Sequence, residues 1–276
     1  MRIAFVGHVS IDHNVTNGKE HVLNGGGVLH GAVTARRLGA DAVVFTRCAP
    51  ADRERFSVLA DAGVPAFYLP GERTTSARNV YPTANPDDRV TYFVSRAEPF
   101  RASDLDAIDA DVIHVNPLWF GEFPDDLLPA ARARAGVLAG DAQGFLRHVG
   151  DGEGRCSAHD WATKSRYLPL FDVFKADIGE ATTLTGCDDP VAAAAAVRAL
   201  GPRTVLLTHH AGVCVHDGDC HEASFGPYSI EGRTGRGDTF TAAFLVASAR
   251  MPIDEATRFA ADVTSRKMQY AGPFRG

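Results

Sequence analysis

The densest chemistry in the sequence is the run Gly232-Arg233-Thr234-Gly235-Arg236-Gly237-Asp238-Thr239-Phe240. It leads into Phe240, Ala243, Phe244 and Ala247 at helical spacing, so the glycines open a helix. A Gly-x-Gly turn at a helix N-terminus points consecutive N–H groups at one spot, an anion hole suited to a transferring phosphoryl group. Asp238 stands beside that hole. An isolated Asp in a first helical turn is a cap or a dipole partner. Next to an anion hole it is also a positioned acceptor for the proton of an attacking hydroxyl. A loose phosphoryl-transfer transition state needs little early deprotonation, so such a carboxylate chiefly orients the nucleophile. A Walker-type loop is excluded, because Lys164-Ser165 is the one Lys followed by Ser or Thr and lacks the preceding glycines.

A second small-residue cluster, Gly25-Gly26-Gly27-Val28-Leu29-His30-Gly31-Ala32, opens another helix. It either binds a polar ligand through free N–H groups or lets the helix pack tightly on a sheet. A dinucleotide fingerprint fits poorly, because the preceding strand ends well upstream at Gly7 and His30 stands where glycine is required. Asp141, Gln143 and Arg147 follow a strand at its carboxyl end, where α/β sheets bind ligands, although Asp141 suits a helix cap almost as well. His209, His210, Cys214, His216, Cys220 and His221 crowd one stretch without matching a common zinc pattern, which favours core or surface roles.

The elements that must position these groups alternate. Strands are expected at 3–7, 42–46, 112–115, 135–141, 171–175 and 204–208. Helices are expected at 26–38, 52–62, 190–200, 238–250 and 253–270. Between 74 and 94 the pattern changes to an antiparallel hairpin, 79–81 and 89–94 around the turn-rich 82–88, read as a lid. A second hairpin is expected at 214–220 around Asp217-Gly218, and 149–165 reads as a loop. This is an α/β chain with a mainly parallel sheet. Its 276 residues suit one large domain, and a net charge of −6 with a pI near 6.0 gives no footprint for nucleic acid. No stretch has the length of a signal peptide core or a membrane span. Five scattered cysteines without a Cys-x-x-Cys pair suit a reduced compartment, so a cytoplasmic protein is expected.

Thr234-Gly235-Arg236-Gly237-Asp238-Thr239-Phe240 resembles the C-terminal signature of the PfkB, or ribokinase-like, carbohydrate kinases. The run 25–32 continuing to Leu38-Gly39 resembles their N-terminal signature, and Gly7-His8-Val9-Ser10-Ile11-Asp12 matches the strand-end Gly and substrate-binding Asp. Lys175-Ala176-Asp177-Ile178-Gly179-Glu180 is similar to the family's Asn-x-x-Glu segment. The resemblance covers nearly the whole chain. With 116–124 and 141–147, it lies nearest the branch containing bacterial myo-inositol kinases. It implies an αβα sandwich of one domain, 1–276, with a small lid formed by roughly 10–25 and 74–95.

It further implies ATP-dependent phosphorylation of a small neutral polyol or sugar, with myo-inositol as the acceptor. A nucleoside kinase of the same fold and a noncatalytic sugar-binding regulator are the alternatives. Asp238 is the implied base, with Gly235, Arg236 and Gly237 forming the anion hole. Asp12, Asn24, Gly26, Gly27, His30, Asp141 and Gln143 are implied at the acceptor, and Arg89 either reaches it or is solvated. Lys175, Asp177, Thr208, Gly212 and Thr234 are implied at the nucleotide, and Glu180 is implied to hold Mg²⁺ through water. A monovalent cation is compatible with this set, as is a monomer or a homodimer.

Overall fold

The computed structural model describes residues 1–82, 89–150, 154–227 and 232–276. β1 (Arg2–Val6) alternates strictly, Ile3 and Phe5 entering the core on one face and Ala4 and Val6 that on the other. Burial on both faces is what a central parallel strand requires. The chain continues through β2 (Ser10–Thr16), β3 (Lys19–Gly25), α1 (Gly27–Arg37), β4 (Asp41–Arg47), α2 (Val58–Asp61) and β5 (Ala66–Leu69). β6 (Thr75–Tyr81), β7 (Val90–Ser95), β8 (Val112–Val115), α3 (Leu128–Arg134), β9 (Val137–Asp141), α4 (Gln143–Leu146), β10 (Arg147–Val149) and β11 (Cys156–Ala158) follow. Then come α5 (Lys164–Tyr167), β12 (Val173–Asp177), α6 (Ile178–Thr185), α7 (Pro190–Ala199), β13 (Thr204–Thr208), β14 (Gly212–His216) and β15 (Cys220–Ser224). α8 (Arg236–Ser248) and α9 (Ile253–Lys267) complete it.

The nine-stranded sheet runs β15-β14-β13-β12-β9-β8-β1-β4-β5. All neighbours from β13 to β5 are parallel, and β13, β14 and β15 are antiparallel. One face is covered through Val28, Ala32, Phe240, Phe244 and Ala260, the buried residues of α1, α8 and α9. The other is covered through Leu128, Ala131, Ala181, Ala193 and Val197 of α3, α6 and α7. This is the ribokinase-like αβα sandwich that the sequence led us to expect. A separate four-stranded sheet, β3-β2-β6-β7, forms the lid, with β2 and β6 parallel. No helix among the described residues is long and apolar enough to cross a membrane.

Several expectations are corrected. The helix expected at 52–62 is a 3₁₀ segment, Pro50–Phe56, followed by the single turn α2, in which Phe56 and Leu59 are the fully buried anchors and Val58 and Ala62 pack half-buried beside them. The loop expected at 149–165 contains β11, which pairs with β10. The hairpin at Asp217-Gly218 closes with three residues, since His216 pairs with Cys220. Three further strands were not read from the residues: β5 at the opposite edge of the main sheet, and β2 and β3 of the lid, joined by a turn at Asn17 and Gly18, both at positive φ. The turn expected at 83–88 lies outside the described residues.

Candidate active site

Parallel strands deliver their carboxyl ends to one rim, and the helices that follow deliver their N-termini to it. Gly26, at φ 98, precedes α1, and Gly235, at φ 81 in the left-handed region, precedes α8. These two helix starts meet with no room for side chains. A Cβ on Gly27 would lie 2.4 Å from both Asn116 amide atoms and from Asp238 Oδ1, and one on Gly235 would lie 2.4 Å from the His30 ring. Both glycine clusters in the sequence therefore serve one place.

Asn116, just beyond β8 and buried, donates from Nδ2 to Asp238 Oδ1 at 2.9 Å. That bond leaves the second carboxylate oxygen, Oδ2, unengaged. Gly235, Arg236, Gly237, Asp238 and Thr234 line the cavity above this point. Asp12, Gly26, Gly27, His30, Arg89, Asp141 and Gln143 line it from the acceptor side, and Lys175, Asp177 and Thr208 from the ends of β12 and β13. Three expected residues lie elsewhere. Asn24 donates to the Arg55 carbonyl oxygen. Gly212 is locked in β14, where a Cβ would meet the Ala223 carbonyl oxygen at 2.3 Å. Glu180 borders an adjoining cleft with Arg147 and Arg155.

Lys175 Nζ lies 3.2 Å from Asp141 Oδ2 and 3.4 Å from Glu180 Oε2. Burial alone would lower its pKa, but Asp141, Glu180, Asp177 and Asp238 more than offset this and hold the ammonium above its ordinary value. One cation shared among several carboxylates leaves each anion under-compensated. Burial accordingly pushes Asp141 up against the pull of Lys175, and burial with Asp177 pushes Glu180 up to about 7. Glu180 is also half of a reciprocal helix cap: the Asp177 N–H donates to its Oε2 at 2.7 Å, and its own N–H donates to Asp177 Oδ1 at 2.8 Å. Its Oε2 is thus committed to cap and ammonium, and among the described residues no three His, Cys, Asp or Glu side chains converge as metal ligands. The hold on Mg²⁺ through water expected of Glu180 would fall to its other oxygen, Oε1.

The side expected to take the acceptor mixes the charged Asp12, Asp141 and Arg89 with neutral polar groups. Ser10 Oγ donates to Asp12 Oδ1 at 2.8 Å, and burial raises the Asp12 carboxyl above its usual range. His30 is 2% exposed, and burial followed by Lys267 lowers its ring to about 4 against the pull of Asp238, so it is neutral at pH 7. From the lid, Asn79 enters the cavity, its Nδ2 donating to Asn14 Oδ1 at 3.0 Å and its Oδ1 accepting from Thr91 Oγ1 at 2.9 Å. Sequence reasoning missed Asn79, Asn116 and Arg233. For Asn116 a signal existed, a polar residue directly after a strand; Asn79 depends on the lid's long-range pairing.

The lid is tied to the sheet through His8, which is fully buried after β1. Its Nε2 lies 3.1 Å from the Glu98 carbonyl oxygen, which can only accept, so Nε2 carries the proton and Nδ1 accepts from Thr75 Oγ1 at 2.9 Å. Burial, reinforced by Arg47, lowers this imidazole to about 3. Glu122, also fully buried, accepts from the His8 N–H at 2.7 Å and the Leu118 N–H at 3.0 Å.

A carboxylate aimed beside two helix N-termini, in a cavity lined by Lys175, Arg233 and Arg236 and, across from them, by Asp12, Asp141, Arg89 and neutral polar groups, defines a phosphotransferase acting on a small hydroxyl compound. The chain belongs to the ribokinase family. It is 46% identical to a pyrophosphate-dependent kinase of that family solved with a pyrophosphate analog and myo-inositol, over 99% of this chain and 97% of that one, with a TM-score of 0.94. A sulfate complex of a pyrophosphate-dependent kinase of the family is 47% identical, over 99% and 97% of the two chains, with a TM-score of 0.95. A pyrophosphate-dependent myo-inositol-1 kinase converted into a myo-inositol-3 kinase by two substitutions is 45% identical, over 99% and 95%, with a TM-score of 0.93. No protein-family model and no curated protein matches the chain.

These structures overturn the expected ATP donor, because relatives nearly half identical along the whole chain are pyrophosphate-dependent. The reason lies in what the signature encodes. Gly235-Arg236-Gly237-Asp238 was read for the transferred phosphoryl group alone, which is the same whether the leaving group is ADP or orthophosphate.

Proposed function

We propose that this protein transfers a phosphoryl group from pyrophosphate to a hydroxyl of myo-inositol. The observation that carries the reading is the 46% identity, over nearly all of both chains, to a kinase solved with a pyrophosphate analog and myo-inositol. The charge layout supports it: a neutral polyol needs acceptors and donors such as Asp12, His30 and Asn79, whereas a compact diphosphate needs the concentrated cations Lys175, Arg233 and Arg236.

Asp238 Oδ2 accepts the hydroxyl proton as the acceptor oxygen bonds to the near phosphorus. The bridging P–O bond breaks, and orthophosphate leaves with the electron pair. The N–H groups of the α8 start stabilise the charge on the equatorial oxygens. Turnover of the purified protein is read as phosphorylated acceptor formed, with pyrophosphate or ATP as donor and myo-inositol, ribose, fructose or adenosine as acceptor. The expected result is the highest kcat/KM for pyrophosphate with myo-inositol. A higher value for another acceptor overturns the acceptor, and a higher value for ATP overturns the donor.

A further inference from the structure

Lys267, in the last turn of α9, is 0% exposed, yet among the described residues it makes no ion pair within 4 Å. Its Nζ donates to two backbone carbonyl oxygens, Gly232 at 2.6 Å and Thr234 at a still shorter contact. Stability alone gives no reason to bury an ammonium without a counter-ion, because an apolar side chain of the same length would cost less. The two carbonyls belong to the stretch that leads directly into Gly235.

We propose that Lys267 is a positioning residue for phosphoryl transfer, its buried ammonium fixing the Gly232–Thr234 backbone so that the α8 start presents its N–H groups to the transferred phosphoryl group. In a trans peptide C=O and N–H point in opposite directions within one plane. The Thr234 carbonyl turned to Lys267 therefore turns the Gly235 N–H the other way, and Gly235 lines the cavity. The loop is pinned beside the same point by packing: a Cβ on Gly232 would lie 1.9 Å from the Met268 carbonyl oxygen, directly after Lys267. Beyond the loop, Arg236 N–H donates to the Arg233 carbonyl oxygen and Thr239 N–H to that of Gly235, so the α8 start inherits the loop's orientation.

The ammonium also contributes charge. Asp238 on α8 and His30 on α1 both feel it, so it adds positive potential behind the anion hole. Burial, opposed by Asp238, lowers its pKa to about 8, which keeps it mainly protonated at neutral pH. Position 267 thus places a fixed cation next to the moving charge without exposing it to solvent.

This inference rests on the phosphotransfer reading, and the experiment separates the two: wild-type protein inert with pyrophosphate and myo-inositol refutes that reading, whereas active variants refute the role of Lys267. Lys267→Met, of similar length but uncharged, is compared with wild type for kcat, both KM values and Tm. The expected result is a loss of roughly a hundredfold in kcat, the scale of one lost anion-hole donor, with both KM values within about twofold and Tm preserved. Lys267→Ala should recover part of that kcat when methylammonium is added, which a purely structural residue would not allow. Unchanged kcat in a folded variant, or a lower Tm with normal kcat, overturns the proposal. Should neither variant fold, wild-type kcat between about pH 7 and 10 decides. His30 is already neutral there, so a decline as the ammonium deprotonates near 8 supports the proposal and a flat profile overturns it.

Discussion

Asn116 and Asp238 lie 122 residues apart in sequence and 2.9 Å apart in space, the Asn amide donating to the Asp carboxylate at the meeting point of β8 and α8. That contact fixes which oxygen of Asp238 faces the cavity. Asn116→Ala removes the donor and frees the carboxylate to rotate. We expect kcat to fall roughly tenfold to a hundredfold, the worth of a hydrogen bond to a charged group, with both KM values nearly constant. A KM rise without a kcat loss would place Asn116 in substrate binding instead.

Asp238→Asn keeps an acceptor for Asn116 and the volume of the side chain, so the helix start survives. What is lost is the anionic partner of the acceptor hydroxyl. The expected kcat is about 10²- to 10⁴-fold lower at unchanged Tm, measured as inositol phosphate formed per enzyme. Turnover within about threefold of wild type would remove the base assignment.

Glu122 offers a stability test with a defined sign. Burial raises its carboxyl to about 7 from an ordinary 4.5, against the N–H groups of Leu118 and His8. Between those two values the folded protein holds a proton that the unfolded chain has released, so this group's contribution to stability falls as pH rises from about 4.5 to 7. Glu122→Gln cannot titrate, and it presents an NH₂ to a pair of backbone donors. The variant should be less stable by roughly 1–3 kcal/mol at pH 5, and the gap to wild type should narrow by pH 8. Urea unfolding at both pH values measures it, and a widening gap would show that Glu122 ionises freely in the fold.

How much of this was legible in the sequence depends on how local the signal was. Glycines before an apolar helical repeat located both helix starts, and β1, buried on both faces, announced itself as a parallel core strand. The lid was partly legible. Asn17-Gly18 carries the turn chemistry for β2 and β3, but the parallel pairing of Asp12 with Ala77 and Asn14 with Asn79 joins segments 65 residues apart and leaves no periodic trace. Gly212 shows the opposite error: a glycine read as a nucleotide contact is small because β15 passes over it. The donor was illegible for a chemical reason, since the signature was read for the transferred phosphoryl group, which ATP and pyrophosphate share.

Asp12 separates acceptor recognition from stability. Burial raises its carboxyl, partly opposed by the Ser10 hydroxyl and then by Arg89, so the folded state disfavours its negative charge. Asp12→Asn removes that charge while keeping one acceptor for Ser10 Oγ, so Tm at pH 7 should hold or rise. The carboxylate's capacity to accept from two neighbouring hydroxyls is halved, and the amide turns a donor toward one of them. An unmatched donor pair costs about 1–3 kcal/mol, which corresponds to a myo-inositol KM higher by roughly tenfold or more. The pyrophosphate KM should stay within about twofold, because Lys175, Arg233 and Arg236 are untouched. Steady-state titration of each substrate at saturating levels of the other reads both constants. A parallel rise in the two, or a fall in Tm, would show that Asp12 holds the lid together and does not select the acceptor.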